Sequence, residues 1–391
     1  MSLFNDTKTA FEAKSDKELQ KAYTLFKLIA NPFLTKLGTV MFKIPFATDL
    51  PFVKPAIRKT IYKQFVGGET PDECLSVAKD LYKYGVSSIM DYSVEGQESE
   101  EEFDHVKDEI LHLIQIAKDN PKEIPFVVFK PTAFGKIDLY EKIGKGLPLS
   151  EKEREQWSAI HNRFDVVCKA GFEQNVTIMI DAEESWMQNA ADDLADEMMQ
   201  KYNRENCVVC NTLQMYRHDR LNYLKKVFKK AEEQNYILGF KVVRGAYMEK
   251  ERARAEAENY PSPIQPDKAS TDRDYNHALE FIVNNNQRIS LFAGTHNEHS
   301  CELLTQLMSD NEIENGYHKI WFGQLFGMSD NISFKLGSLG YNIAKYLPYG
   351  PIKEVMPYLI RRAQENTSVA GQTGRELSLI EKEIERRKNK T

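Results

Sequence analysis

From residue 85 onward, short apolar runs alternate with longer stretches that have helical spacing. The runs, rich in Val, Ile, Leu and Phe, occupy 87–94, 125–132, 176–182, 207–214, 238–247, 289–295, 319–325 and 341–348. They have strand length, and β-branched and aromatic residues suit a buried pleated surface. Between them, 101–118, 151–170, 186–203, 220–234, 274–284, 300–310 and 331–339 repeat apolar residues every three or four positions, as helices do, and 352–365 closes the series. Strands alternating with helices make βαβ units and a parallel sheet. Eight units over about 280 residues predict an α/β fold, a (β/α)8 TIM-like barrel.

The first 84 residues lack that rhythm. Helical spacing over 17–30 is followed by an apolar stripe (Phe33, Leu34, Leu37, Val40, Met41, Phe42) and by a run over 46–65 that contains Pro51 and Pro55. Thr70-Pro71-Asp72-Glu73 caps a helix expected to run to Tyr84. The expected organisation is an N-terminal helical arm (1–84), a barrel (85–375) and a charged C-terminal tail (376–391).

A net charge of −6 argues against a nucleic-acid binder, which would present a basic face. No apolar run approaches the roughly 18 residues of a membrane span. The first residues carry Asp6 and Glu12 and no arginine, unlike a transit peptide. Five cysteines in 391 residues do not form a disulfide framework, so a reducing cytoplasm is expected. In Cys207-Val-Val-Cys210 no second pair follows at zinc spacing. Within a strand over 207–214, positions 207 and 210 would point to opposite faces, as structural cysteines.

A barrel places its chemistry at the carboxyl ends of its strands. Here those ends are polar: Asp91, Lys130, Asp181 with Glu183, Gln214, Tyr247, Thr295-His296-Asn297, Gln324 and Tyr346. On the last helix Arg361 and Arg362 stand four and three positions before Glu365, in a segment expected to have few apolar anchors. Two guanidinium forks held by a carboxylate suit a small anionic ligand, although a solvated ion-pair face has the same pattern. No G-x-G-x-x-G opens a helix, which disfavours a Rossmann-type dinucleotide site.

These ends lie in longer motifs: Phe129-Lys130-Pro131-Thr132, Ile180-Asp181-Ala182-Glu183, Thr212-Leu-Gln214-Met-Tyr216, Lys241-Val-Val-Arg244-Gly245-Ala246-Tyr247, Thr295-His296-Asn297, Phe322-Gly-Gln324-Leu-Phe-Gly327-Met328, Tyr346-Leu-Pro348-Tyr-Gly350 and Tyr358-Leu-Ile-Arg361-Arg362-Ala-Gln-Glu365-Asn366. In that order, over 85–370, the chain resembles the proline dehydrogenase family, in its compact monofunctional form.

The resemblance implies FAD across the carboxyl face and L-proline beside it. Hydride would pass from proline Cδ to flavin N5, giving 1-pyrroline-5-carboxylate, the first step of proline catabolism to glutamate. Lys130, Arg361 and Arg362 would bind the proline carboxylate, with Asp181 and Glu365 holding these cations. Tyr247 and Tyr346 would flank the ring, and Leu325 and Val242 would form an apolar wall. Lys241 would stand near flavin N5, where many relatives have arginine. Gln214, Arg244, Gly245, Ala246, Thr295, His296, Asn297 and Gln324, with Val242, would complete the cofactor set, and His296 has a competing reading as a helix-start residue. Electrons would pass to a membrane quinone, which makes peripheral membrane contact by 33–42 and 46–53 a competitor to packing on the barrel. Glu95 would close over Arg361. The product would suit a separate pyrroline-5-carboxylate dehydrogenase.

Three alternatives stay open at this level. A 4-hydroxyproline dehydrogenase of the same fold would have a smaller residue than Tyr346. A metal-dependent barrel aldolase or hydrolase would use Asp91, Asp181, Glu183 and His296, but no H-x-H or H-E-x-x-H spacing occurs and the cations oppose a metal. A non-enzymatic binding protein would hold no chromophore.

Overall fold

The computed structural model describes residues 3–29, 53–93, 96–368 and 372–389, without the side chains of 53, 56 and 363–373. The apolar stripe 33–42, the first part of the 46–65 run and Glu95 lie outside the described residues.

Among the described residues eight strands form: β1 Ser87–Tyr92, β2 Phe126–Phe129, β3 Thr177–Ile180, β4 Val209–Gln214, β5 Leu238–Val243, β6 Ile289–Gly294, β7 Ile320–Leu325 and β8 Ile343–Tyr349. They follow one another around a closed parallel barrel. Each lies within a predicted run or a residue beyond it. β5 stops at Val243 rather than at 247 because Gly245 takes φ +131°, which ends the extended run.

Register fixes which side chains share a face. Met179 pairs with Cys210, Thr212 with Lys241, and Lys241 with Phe292. Successive residues on a strand alternate between faces. Asn211 belongs to the outer face, since its Nδ2 donates to Asp192 Oδ1 (3.0 Å) on the helix Ser185–Tyr202. Thr212, Gln214, Lys241 and Asp181 are therefore on the inner face.

By contacts the chain forms two units, Met1–Glu95 with Gln324–Thr391, and Gly96–Gly323. In the first, Phe26 of the helix Asp16–Ile29 joins Phe65, Val355, Leu359, Leu379 and Ile380 in one buried cluster. Two expectations are corrected here. The last helix, Ile352–Ser368, is well anchored, by Val355, Met356, Tyr358 and Leu359. Residues 376–391 do not form a charged tail: the helix Gln372–Lys388 buries Leu379 and Ile380, and Arg387 Nη1 donates to Asp16 Oδ1 (2.7 Å). The charges mark only the outer side of an amphipathic helix.

In the second unit, Ser99 with Glu102 and Ser150 with Glu153 form reciprocal capping boxes that start the helices Glu100–Asp119 and Glu151–Gln174. The helix Met248–Ala257 was not foreseen, because MEKERARAEA has no apolar stripe. Polar ties hold it instead. Buried Glu251 accepts the Ser185 N–H and hydroxyl, both at 2.6 Å, and Arg254 stacks 4.2 Å from the Trp186 ring while donating to Glu141 (2.7 Å).

The cysteine pair is a further correction. Cys207 precedes β4 instead of belonging to it, so strand alternation does not apply. Asn203 Oδ1 accepts the N–H groups of Val208 (2.9 Å) and Val209 (2.8 Å), and the turn brings the Cys207 and Cys210 sulfurs to 3.4 Å.

Candidate active site

On the second unit the inner face carries an ion pair. Lys241, on β5, binds Asp181, just past β3, with side chains 8% and 15% exposed. Thr212, on the intervening strand, donates to Ile180 O (2.8 Å), fixing the end of β3. Gln214 Nε2 donates to Glu183 O (2.6 Å). Lys130 follows β2 and is half-buried. Asp181, expected to hold the substrate cations, also binds Lys241, from the cofactor set.

Glu183, named with Asp181 among the polar strand ends but given no role toward proline or FAD, is buried. Its carboxyl accepts the Thr132 N–H (2.9 Å) and hydroxyl (2.7 Å), and so fixes the loop that begins at Lys130. Burial pushes its pKa up to about 7. Its place two residues beyond Asp181 was the available signal.

Beyond β5, Arg244 engages each of its three guanidinium nitrogens once, which leaves N–H donors on Nη1 and Nη2. Nε donates to Asp272 (2.6 Å), Nη1 to Thr295 Oγ1 (2.7 Å) and Nη2 to Ser300 Oγ (2.9 Å), while the group lies 4.3 Å from the Tyr275 ring. Asp272, Tyr275 and Ser300 carried no signal in sequence, because only the packing of two helices against β5 and β6 brings them to Arg244. Asn297 N–H donates to Thr295 Oγ1 (3.1 Å), and Asn297 Oδ1 caps the helix Glu298–Asp310 through Ser300 N–H (3.0 Å). His296, half-buried, immediately precedes that cap. Gly245 and Ala246 are exposed. A Cβ on Gly245 would stand 2.5 Å from the Tyr216 ring, so backbone, not side chain, is presented there. Tyr247, half-buried, starts the helix Met248–Ala257. An arginine fork, open backbone and a capped helix start form a donor set that fits a phosphate-bearing cofactor.

On the first unit, Leu325 and Tyr346 are half-buried, and Tyr346 O accepts the Phe326 N–H (2.9 Å). The loop after β7 is fixed at Gly327, at φ +78°, where a Cβ would fall 2.0 Å from Gln64 O. Fully buried Lys345 bonds Met328 O and forms an ion pair with Asp330 (2.9 Å), which also binds Lys14 (3.1 Å). Arg361 is half-buried; Arg362 is buried with its guanidinium 5.3 Å from the Tyr358 ring. The Glu365 side chain lies outside the described side chains.

Two expected site residues fall elsewhere. Val242 follows inward Lys241 and pairs with Leu213 and Ala293, on the helix-facing side; Val243 is the inward neighbour. Gln324 likewise precedes inward Leu325, and its Oε1 accepts the Ser333 hydroxyl (2.8 Å) of the helix Asp330–Ser338. Strand alternation excludes Val242 from the inner wall and turns Gln324 toward that helix.

Barrel and inner face define a (β/α)8 enzyme with buried charge at its strand ends. The proline dehydrogenase family model matches residues 74–375. The chain belongs to this family, oxidoreductases acting on proline. It is 37% identical to the carbapenem antibiotics biosynthesis protein CarD of Pectobacterium carotovorum, over 83% of each chain. Mitochondrial proline dehydrogenase 1 of Dictyostelium discoideum is 32% identical, over 98% of this chain and 74% of that one. Among solved structures, proline utilization A from Bdellovibrio bacteriovorus, inactivated by N-propargylglycine, superposes with TM-score 0.72 at 21% identity, over 93% of this chain. This chain spans 38% of the length of that larger protein.

Proposed function

We propose that this protein oxidises L-proline to 1-pyrroline-5-carboxylate with FAD as resident cofactor and a quinone as final acceptor. The observation that carries the reading is the inner-face set on one unit: Lys241 paired with Asp181, beside Gln214 tied to Glu183. A buried ion pair costs desolvation and contributes little net stability, which favours a functional reason for it.

Bound FAD supplies the two-electron acceptor for the hydride leaving proline Cδ. The chain orients the substrate. By the family resemblance, Arg361 and Arg362 would offer forked donors and Lys130 a point charge to the carboxylate. Tyr346 and Tyr247 would flank the ring, with Leu325 as apolar wall. Lys241, held by Asp181, keeps a fixed positive charge on the inner face. Arg244 with Thr295, His296, Asn297 and the backbone at Gly245-Ala246 would hold the phosphate-bearing part of FAD. The proton on the proline nitrogen goes to solvent.

Delivery of electrons to a quinone would bring the protein to a membrane surface. Among the described residues no helix is long and apolar enough to cross one. The product would pass to a separate pyrroline-5-carboxylate dehydrogenase.

Anaerobic addition of L-proline to the purified protein should bleach its flavin absorbance. Arg361→Met and Arg362→Met should each raise KM for proline by about 10²-fold with flavin content unchanged. Loss of flavin with proline affinity intact would reassign both arginines.

A further inference from the structure

The proposed reaction leaves unused a pair of thiols at the amino end of β4. The sulfurs of Cys207 and Cys210 are 3.4 Å apart, against about 2.05 Å in a disulfide. Cys207 is half-buried and Cys210 buried.

Two independent features keep the sulfurs together. Asn203 clamps the turn between them: its Oδ1 accepts from Val208 and Val209, and its Nδ2 donates to Val209 O (2.8 Å) and Ile237 O (3.0 Å). On β5, Gly239 leaves the space they occupy. A Cβ there would lie 2.4 Å from Cys207 Sγ and 2.5 Å from Cys210 Sγ. That cradle is open only to glycine.

We propose that Cys207 and Cys210 are a thiol–disulfide exchange site that accepts small-molecule disulfides and closes to an intramolecular disulfide. Cys207 attacks first. The Cys210 thiol and the Ser290 hydroxyl, hydrogen-bonded to its sulfur, with the charge of Lys319, favour its thiolate, whereas Cys210 is held protonated. The Cys207 sulfur bonds to one sulfur of the incoming R–S–S–R, whose S–S bond breaks and releases one thiolate. That thiolate takes the Cys210 proton. The Cys210 sulfur then attacks Cys207, expelling the second thiolate, which is protonated from solvent. Two protein thiols lose two electrons in total, and the external disulfide gains them as two thiols. The reaction draws no electrons from proline. The closed disulfide would pin the start of the strand that carries Thr212 and Gln214.

The reduced full-length protein, freed of reductant, would be titrated with oxidised glutathione under native conditions. Thiols would be counted after denaturation, and disulfides mapped by mass. The expected result is loss of two of the five thiols and a single Cys207–Cys210 link, a mass lower by two hydrogens with no glutathione retained. Cys74, Cys168 and Cys301, all buried, should remain reduced. Cys210→Ser should instead trap a glutathione adduct on Cys207, and Cys207→Ser should leave Cys210 unreacted. A persistent adduct on the wild-type protein, no thiol loss, or loss at Cys74, Cys168 or Cys301 would overturn the proposal. The wild-type result stands even if either variant fails to fold.

Discussion

Lys241 on β5 and Asp181 at the end of β3 form an ion pair that passes over the intervening strand β4, with both side chains nearly buried on the inner face. Removing one member leaves the other as an uncompensated buried charge. Lys241→Met and Asp181→Asn should each destabilise the protein by about 3 kcal/mol in urea unfolding. The double variant should lose less than the sum, with a coupling of at least ~1 kcal/mol. Strict additivity would mean that the pair is energetically silent.

Arg244 spends three nitrogens on Asp272, Thr295 and Ser300. A lysine keeps the charge but cannot span three acceptors. Arg244→Lys should weaken FAD retention by at least ~10-fold, corresponding to the loss of one charged hydrogen bond, and Asp272→Asn should do so to a smaller degree. Flavin-to-protein ratios after dialysis measure this. Wild-type retention in both variants would remove Arg244 from the cofactor set.

Gly245 combines φ +131° with a ring 2.5 Å from where a Cβ would stand. Gly245→Ala should cost roughly 1–3 kcal/mol and shift the Tyr216 ring. Thermal unfolding and near-ultraviolet circular dichroism report the two effects. An unchanged melting temperature would show that the turn can relax.

Burial pushes the carboxyls of Glu183 and Glu376 from 4.5 up to about 7. Unfolded, they ionise near 4.5. The stability they contribute as neutral acids is fully present below that value and is lost as pH rises through 7. Unfolding free energy should fall over this window by up to ~1.4 kcal/mol per pH unit per group. Glu183→Gln and Glu376→Gln should each flatten the slope. Asp330, held at about 2 by Lys14 and Lys345 against its burial, acts only below 3.8 and does not enter this window. Wild-type slopes in both variants would contradict the assignment.

Tyr346 is half-buried on the inner face of β8. In the proposed ring-flanking role Tyr346 would leave no room for a 4-hydroxyl, so kcat/KM should favour proline over 4-hydroxyproline by on the order of 10²-fold, and Tyr346→Ser should narrow the gap. Comparable values for the wild-type protein would make hydroxyproline the better reading.

Periodicity located all eight strands because a buried parallel strand is a continuous apolar run, whatever it packs against. Lys130, Asp181 and Gln214 stood out because a polar residue closing such a run has few other reasons to be there, whereas Lys241, inside its run, was named only through the family motif. Helix Met248–Ala257 escaped notice because it is held by Glu251 and Arg254 rather than by an apolar stripe. The helix Gln372–Lys388 was masked by its charges, although Leu379, Ile380 and Ile384 already had helical spacing.

Sequence alone determined the (β/α)8 class, the order of its strands and which polar residues close them, since these depend on local composition and period. Tertiary structure decided what each side chain faces and meets. A boundary two residues later took Cys207 out of β4 and set it against Cys210. One step along β5 and β7 turned Val242 and Gln324 to the helices, and a partner 60 positions away gave Asp181 its lysine. Faces alternate every residue and ion pairs form across strands, so neither is determined until register and closure are.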